Sequence, residues 1–99
     1  MTYLDALFAL KGKVAVVARS NRGIGFCLAR ALANAGAAVV LNGRDRERTE
    51  AAARELNGEG LAASVSIADV ADREAVVREV KRIEDQFGAI DIVVNNAGI

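Results

Sequence analysis

The sequence predicts an α/β fold, the first half of a doubly wound parallel sheet, from three observations. Four short runs of strand length alternate with three longer segments of helical periodicity. The first two runs are continuously apolar, which is typical of parallel strands that are buried on both faces. The first run ends in a polar turn that leads through Gly23 and Gly25 into a helix. Right-handed crossovers and the usual connectivity then give the strand order 3-2-1-4.

The first strand, Val14 to Ala18, and the second strand, Ala38 to Leu41, flank the first helix. Gly36 is placed to end this helix in the left-handed conformation. We expect one apolar stripe of the helix to face the sheet: Ile24, Cys27, Leu28, Ala31, Leu32 and Ala35. Because Cys27 belongs to this stripe, its predicted role is core packing.

The second helix is predicted to begin at the N-cap Asp45 and to run to about Leu56. Its apolar stripe is thin, so the helix should lie at the surface. Strand three, Ala62 to Ile67, alternates apolar residues with serines. That alternation predicts one solvated face or a position at the edge of the sheet.

The third helix is predicted to begin at the N-cap Asp72 and to end at Gly88, and strand four is Asp91 to Val94. Four apolar residues share one face of this helix: Val76, Val80, Ile83 and Phe87. The residues before strand one form a lead-in, in which Leu7, Phe8 and Leu10 are able to pack under the first strand.

The composition describes one globular domain, residues 1–99, and excludes several function classes. Thirteen basic residues balance 13 acidic ones, so nucleic acid is not expected as a partner. No apolar run approaches the roughly 20 residues that cross a bilayer, and the N-terminus lacks the basic start of a secretory signal. A single cysteine allows no internal disulfide, which fits a cytoplasmic location. Without histidine, no histidine base or histidine-bound metal is available within the chain.

The turn between Val17 and Gly25 has the features of a phosphate site. A buried strand, a turn with glycines and a helix N-terminus bring free backbone N–H groups and the helix dipole to one point. The general dinucleotide pattern Gly-x-Gly-x-x-Gly does not fit, because its third glycine falls on Leu28.

Four motifs, in order along the chain, resemble those of the short-chain dehydrogenase/reductase family. They are Arg-Gly-Ile-Gly after strand one, Asn-Gly-Arg after strand two, Asp-Val after strand three and Asn-Asn-Ala-Gly after strand four. The resemblance covers essentially the whole chain, and Leu-Asn-Gly-Arg-Asp is similar to gluconate 5-dehydrogenase-like and 3-oxoacyl-reductase-like members. The resemblance to the family implies the first half of a Rossmann fold, truncated after strand four.

The resemblance also implies roles for individual residues in binding a dinucleotide. The adenosine ribose and the pyrophosphate would be lined by Asn21, Arg22, Gly23, Ile24 and Gly25. Asp69 would accept from the adenine amino group and Val70 would pack on the ring. Asn95, Ala97 and Gly98 would pass under the adenine ribose. The alternatives are that the glycines serve close helix packing and that Asp69 is a turn residue.

The choice between NADP and NAD depends on the end of strand two. An NAD site usually places an acid there, whereas an NADP site has an arginine nearby. Here the position is Gly43, followed by Arg44, and Arg22 lies in the first turn. Two guanidiniums can bind a 2′-phosphate, so NADP is favoured. Asp45 keeps NAD possible, although as an N-cap its carboxylate should point at its own helix.

The chain ends at Ile99, before the family's catalytic Ser, Tyr and Lys would occur. Tyr3 has Leu7 four residues later, where the family's Tyr-x-x-x-Lys pattern has Lys. We therefore expect the cofactor-binding half of an NAD(P)-dependent oxidoreductase that is inactive alone. An exposed strand-four edge and an uncovered sheet face predict self-association, and the complete family fold implies a homo-oligomer. The alternatives are a free-standing adenine-nucleotide-binding module and a non-binding fragment that associates through strand four.

Arg19 stands where the family has a glycine that lets the turn approach the cofactor. A left-handed conformation at this position would cost a residue with a Cβ roughly 1–2 kcal/mol. The side chain either fills space that the cofactor needs or contributes a cation to the phosphates.

Overall fold

A computed structural model describes residues 9–96 of the chain. Within that range strands and helices alternate strictly: β1 (Val14–Val17), α1 (Gly23–Asn34), β2 (Ala38–Gly43), α2 (Arg46–Gly58), β3 (Ala63–Ile67), α3 (Arg73–Phe87) and β4 (Ile92–Val94). The strands form a four-stranded parallel sheet in the order β3-β2-β1-β4. The predicted fold class and strand order are confirmed, and β3 lies at a sheet edge as its alternating pattern indicated.

The two faces of the sheet are covered by different helices. Ala15 and Val17 of β1 belong to the cluster that includes residues of α1 and α2, whereas Val14 packs in a second cluster with Ile83 of α3. This division follows from the alternation of side chains along a strand. Burial on both faces explains why β1 and β2 are continuously apolar.

The prediction for the apolar stripe of α1 was wrong for most of its residues, although Leu32 packs, partly buried, against the core. The buried residues of the helix are Gly25, Ala29 and Ala33. Ile24 is 57% exposed and Leu28 is 39% exposed, and Cys27 is exposed rather than packed in the core. The buried stripe is displaced from the predicted one by one residue, or about 100° around the helix. Small side chains face the sheet because the start of the helix lies directly against the β1 turn, where a Cβ on Gly25 would meet the backbone.

The predicted helix caps are confirmed. Asp45 Oδ1 accepts from the Arg48 amide at 3.0 Å, and Asp72 Oδ1 accepts from the Ala75 amide at 3.1 Å. Gly36, with φ +106°, follows the end of α1. Helix α2 extends two residues beyond the predicted Leu56, to Gly58.

Strand β2 is longer than predicted because residues 42 and 43 continue the ladder with β3. Asn42 pairs with Ser66, and Gly43 pairs with Ile67. The extension carries two polar-turn positions into the sheet and places them at its carboxyl edge. Leu10 is partly buried against the core, whereas Tyr3, Leu7 and Phe8 lie outside the described residues.

None of the helices within residues 9–96 has the length and apolar character that crossing a membrane requires.

Candidate functional site

A cleft of about 770 Å³ lies at the carboxyl end of the sheet. It is lined by residues at the ends of the four strands and in the segments that follow them: Arg19, Asn21, Arg22, Gly23, Ile24, Asn42, Gly43, Arg44, Asp45, Arg48, Ala68, Asp69, Val70 and Asn96. The strand order reverses between β1 and β4, and ligands of open parallel sheets bind in the crevice at such a point.

The N-terminus of α1 opens into this cleft without a side-chain cap. Its N-cap residue, Arg22, makes no capping hydrogen bond, and the first turn of the helix contains no acidic residue. The other two helices described begin differently, because each is capped by an aspartate and has a glutamate in its first turn. The α1 terminus therefore presents backbone N–H groups and the positive end of its dipole to a bound anion.

The β1 turn is held in shape by two side-chain amides. Arg19 has φ +51°, a left-handed conformation that is rare for a residue with a Cβ. Its amide donates to Asn42 Oδ1 at 3.1 Å, and its carbonyl accepts from Asn96 Nδ2 at 3.2 Å. Arg19 thus adopts the left-handed conformation whose cost the sequence analysis considers, and its exposed side chain lies at the wall of the cleft.

Asn42 joins the ends of three strands beneath the cleft. It is 6% exposed, and its Nδ2 donates to the carbonyls of Ser66 and Ala68 at 3.2 and 3.1 Å. The backbone N–H of Asn42 donates to Ser20 Oγ at 3.0 Å, and that hydroxyl donates to the Val17 carbonyl at 2.6 Å. The sequence pattern assigns Asn42 to the motif after strand two and gives Ser20 no role. The signal for both was a polar residue set directly at the end of an apolar strand.

Asn96 links β4 to the same turn. It is 8% exposed, and its Oδ1 has no hydrogen-bond partner within residues 9–96. A Cβ on Gly25 would lie 2.6 Å from Asn96 Nδ2 and would overlap the Arg19 carbonyl. Gly25 therefore allows the close approach of α1 to the turn, which is the packing role considered above for the glycines. Asn96 thus lines the cleft with a buried side-chain amide whose oxygen is left without a partner in the described part of the chain.

The two aspartates that line the cleft have different partners. Arg44 Nη1 lies 3.8 Å from Asp69 Oδ2, with the two side chains 76% and 43% exposed. Asp69 Oδ1 accepts from the Ala71 amide at 2.9 Å, so this carboxylate also shapes the turn after β3. The carboxylate of Asp45, in contrast, is directed at its own helix, as predicted. Four arginines and two aspartates line the cleft, whereas the chain as a whole is neutral.

The structure brings most of the residues singled out from the sequence into this cleft: Asn21, Arg22, Gly23, Ile24, Arg44, Asp69 and Val70. Gly25 lies behind the turn. Asn95 is exposed and does not line the cleft, whereas the next residue, Asn96, does. Ala97 and Gly98 lie outside the described residues.

Residues 13–99 match the family model described as short chain dehydrogenase. This chain belongs to the short-chain dehydrogenase family. Gluconate 5-dehydrogenase of Gluconobacter oxydans (strain 621H) is 50% identical over 93 residues, which are 94% of this chain and 36% of that relative. The chain thus spans a little over a third of the length of this short-chain dehydrogenase relative.

Solved structures of the short-chain dehydrogenase family show the same fold. A gluconate 5-dehydrogenase from Burkholderia cenocepacia J2315, in complex with NADP and tartrate, superposes with a TM-score of 0.87 at 45% identity. The match covers 98% of this chain and 38% of that one. L-Sorbose reductase from Gluconobacter frateurii, complexed with NADPH and L-sorbose, has a TM-score of 0.87 at 39% identity, over 94% of this chain and 36% of its own.

Proposed function

We propose that this chain binds the adenosine and phosphate portions of NADP and forms the cofactor half of an NADP-dependent oxidoreductase. In the complete protein, the oxidised cofactor would accept a hydride from an alcohol substrate, or the reduced cofactor would donate one to a carbonyl substrate. The 2′-phosphate distinguishes NADP from NAD, so the proposal depends on how the cleft treats an anion beside the adenosine ribose.

The observation that carries the proposal is the charge arrangement at the end of β2. Arg22 and Arg44 line the cleft together with Gly43, a position without a carboxylate. The nearest acid along the chain, Asp45, is used as a helix cap. A 2′-phosphate would therefore meet guanidiniums, with which it forms strong charge-assisted hydrogen bonds.

The remaining residues fit the other parts of the cofactor. The uncapped N-terminus of α1, with Gly23 and Ile24, suits the pyrophosphate. Asp69 and Val70 both line the cleft, and the resemblance to the family supports Asp69 as the acceptor for the adenine amino group and Val70 as the apolar surface for the ring. Asn21 and Asn96 line the cleft and carry side-chain amides that can form hydrogen bonds with ribose hydroxyls. For Asn95, Ala97 and Gly98 the resemblance to the family supports a position under the adenine ribose.

Binding would exchange the partner of Arg44. In the structure, Arg44 Nη1 lies 3.8 Å from Asp69 Oδ2, in an exposed pair. Such surface pairs contribute about 0–1 kcal/mol, so a phosphate can replace this one at little cost. The exchange would also release Asp69 to accept from the adenine.

A titration followed by ¹⁵N NMR tests the proposal with 2′,5′-ADP, the adenosine part of NADP that carries the 2′-phosphate. We expect the largest shifts at the amides of Gly23, Arg44 and Val70, and little change at Val77, which lies on the outer face of α3. Absence of shifts at saturating nucleotide, or shifts centred on Val77, would contradict the proposed site.

We further propose that the chain self-associates through the β4 edge and the α3 side of the sheet. Val93 of β4 is 69% exposed, and Val77 and Val80 of α3 are 61% and 40% exposed. An apolar edge strand pairs readily with another chain. Sedimentation velocity should show dimers or larger species at tens of micromolar, and Val93→Lys should shift them to monomer. A wild-type monomer at that concentration would contradict this.

For the complete protein we propose a homo-oligomer. The single cysteine suits a cytoplasmic location, which we also propose.

A further inference from the structure

Position 43 has no room for a side chain, although its backbone would accept one. Gly43 is the buried last residue of β2 and is not among the glycines with a positive φ, so its conformation does not require glycine. A Cβ built on Gly43 would lie 2.5 Å from Asn21 Nδ2 and would overlap the hydroxyl oxygen of Thr49. The requirement for glycine at this position is therefore one of space alone.

The atoms that fill this space are fixed by hydrogen bonds. Thr49, in the first turn of α2, is 0% exposed. Its Oγ1 donates to the Asp45 carbonyl at 2.7 Å and accepts from Asn21 Nδ2 at 3.2 Å. Moving the hydroxyl away from position 43 would break both bonds inside a buried site, where unmade hydrogen bonds are costly. Thr49 is therefore unable to give way to a larger residue.

This packing bears on the cofactor, because position 43 is where an NAD site carries its acid. In doubly wound folds that acid accepts from the 2′-hydroxyl of the adenosine ribose. Asn21 lines the cleft beside Gly43, so the Asn21–Thr49 pair occupies the volume next to the ribose position.

We propose that the Asn21–Thr49 hydrogen bond acts as a packing lock: it leaves room only for glycine at position 43 and thereby excludes the acid that would favour NAD. This inference rests on the proposed function and deepens it. The arginines attract the 2′-phosphate, and the packing lock fixes the residue beside them as one without a carboxylate. Gly43→Asp alone is expected to damage the fold. Gly43→Asp combined with Thr49→Ala removes the overlapping hydroxyl, frees the Asn21 amide from its partner and shifts the preference towards NAD.

The packing part is tested without any nucleotide, by a double-mutant cycle on the melting temperature of the full chain. Gly43→Ala should lower the Tm by about 5 °C or more, as overpacking of a buried site does in a domain of this size. In a Thr49→Ala background the same change should cost about half as much or less, because the overlapping hydroxyl is gone. Thr49→Ser is the matched control, since it keeps the hydroxyl and both of its hydrogen bonds, and in that background Gly43→Ala should cost as much as in wild type.

The specificity part is tested by calorimetry with NADP and NAD. Gly43→Asp with Thr49→Ala should lower the ratio of NADP to NAD affinity by about tenfold or more, the scale of one charge-assisted hydrogen bond gained or lost. Thr49→Ala alone should leave the ratio near its wild-type value.

The two tests separate the inference from the proposed function. Equal Tm losses for Gly43→Ala in the wild-type and Thr49→Ala backgrounds would overturn the packing lock, whatever the chain binds. An unchanged affinity ratio in the double variant would overturn its role in specificity. A wild-type chain that binds neither cofactor would contradict the proposed function, and the Tm cycle would still report on the lock.

Discussion

Replacing Arg44 by alanine should weaken binding of 2′-phosphorylated nucleotides selectively. A hydrogen bond between charged groups contributes about 1.5–3 kcal/mol, or roughly a 10- to 150-fold change in affinity. The structure favours the lower end of this range. The Arg44 side chain is 76% exposed, so binding must order a flexible chain, and it must also leave Asp69. We expect 2′,5′-ADP to bind about tenfold more weakly to Arg44→Ala.

The same variant should leave two other quantities almost unchanged. 5′-AMP has no 2′-phosphate, so its affinity should change less than about twofold. Loss of the exposed Arg44–Asp69 pair should alter the free energy of unfolding by less than about 1 kcal/mol. Isothermal titration calorimetry with both nucleotides and a thermal melt measure these effects on one preparation.

Arg46→Ala is the matched control. Arg46 lies two residues further on, is 69% exposed and pairs with Glu50 at 3.3 Å, and it does not line the cleft. It removes the same charge from the same surface, so a general electrostatic effect would appear in both variants. Equal losses for the two nucleotides in Arg44→Ala, or equal losses of 2′,5′-ADP affinity in both variants, would refute the role of Arg44 in specificity.

Three further predictions follow from the turn, the sequence and the α3 surface. Arg19→Gly should strengthen NADP binding measured by calorimetry, because it opens the cleft wall. Relief of the left-handed strain, about 1–2 kcal/mol, should add to stability rather than to affinity. Unchanged or weaker binding would show that the arginine serves the phosphates or points outward. The purified chain should not oxidise NADPH with any ketone, because its only tyrosine, Tyr3, is not followed by the family's lysine; steady turnover would contradict this. Arg82 and the Ser66 hydroxyl hold the pKa of Glu79 below its ordinary value, so this stabilisation is complete above the unfolded-state pKa of about 4.3 and is lost as pH falls through the lower folded-state value. Glu79→Gln should therefore lose less stability than wild type in melts between neutral and acidic pH, and identical slopes would exclude the contribution.

The fold could be predicted from the sequence because its local signals agree. Continuous apolar runs, aspartate caps at Asp45 and Asp72 and the glycine at Gly36 all indicate the same alternation of elements. The buried face of α1 could not be predicted in this way. The helix has an exposed apolar face with Ile24 and Leu28 and a buried face of small residues, and periodicity favours the larger side chains. The close contact of Gly25 with the turn decides the orientation, and that contact is a tertiary one.

The candidate site was predictable in its chain-local parts and hidden in its cross-strand parts. The turns that hold Arg22, Arg44 and Asp69 each follow a strand, so the topology alone brings them to one edge of the sheet. The links made by Asn42 and Thr49 join residues more than twenty positions apart in the sequence. Such pairings depend on strand register and on how α2 lies against β2, which the residue pattern does not specify.

The most direct test of the account is the affinity of the wild-type chain for 2′,5′-ADP compared with 5′-AMP, measured by calorimetry at one fixed ionic strength. The two ligands differ in the 2′-phosphate alone, and phosphate binding by guanidiniums weakens with added salt, so the salt concentration must be held constant. We expect 2′,5′-ADP to bind at least about tenfold more tightly than 5′-AMP. Equal affinities, or tighter binding of 5′-AMP, would contradict an NADP site at the carboxyl end of this sheet.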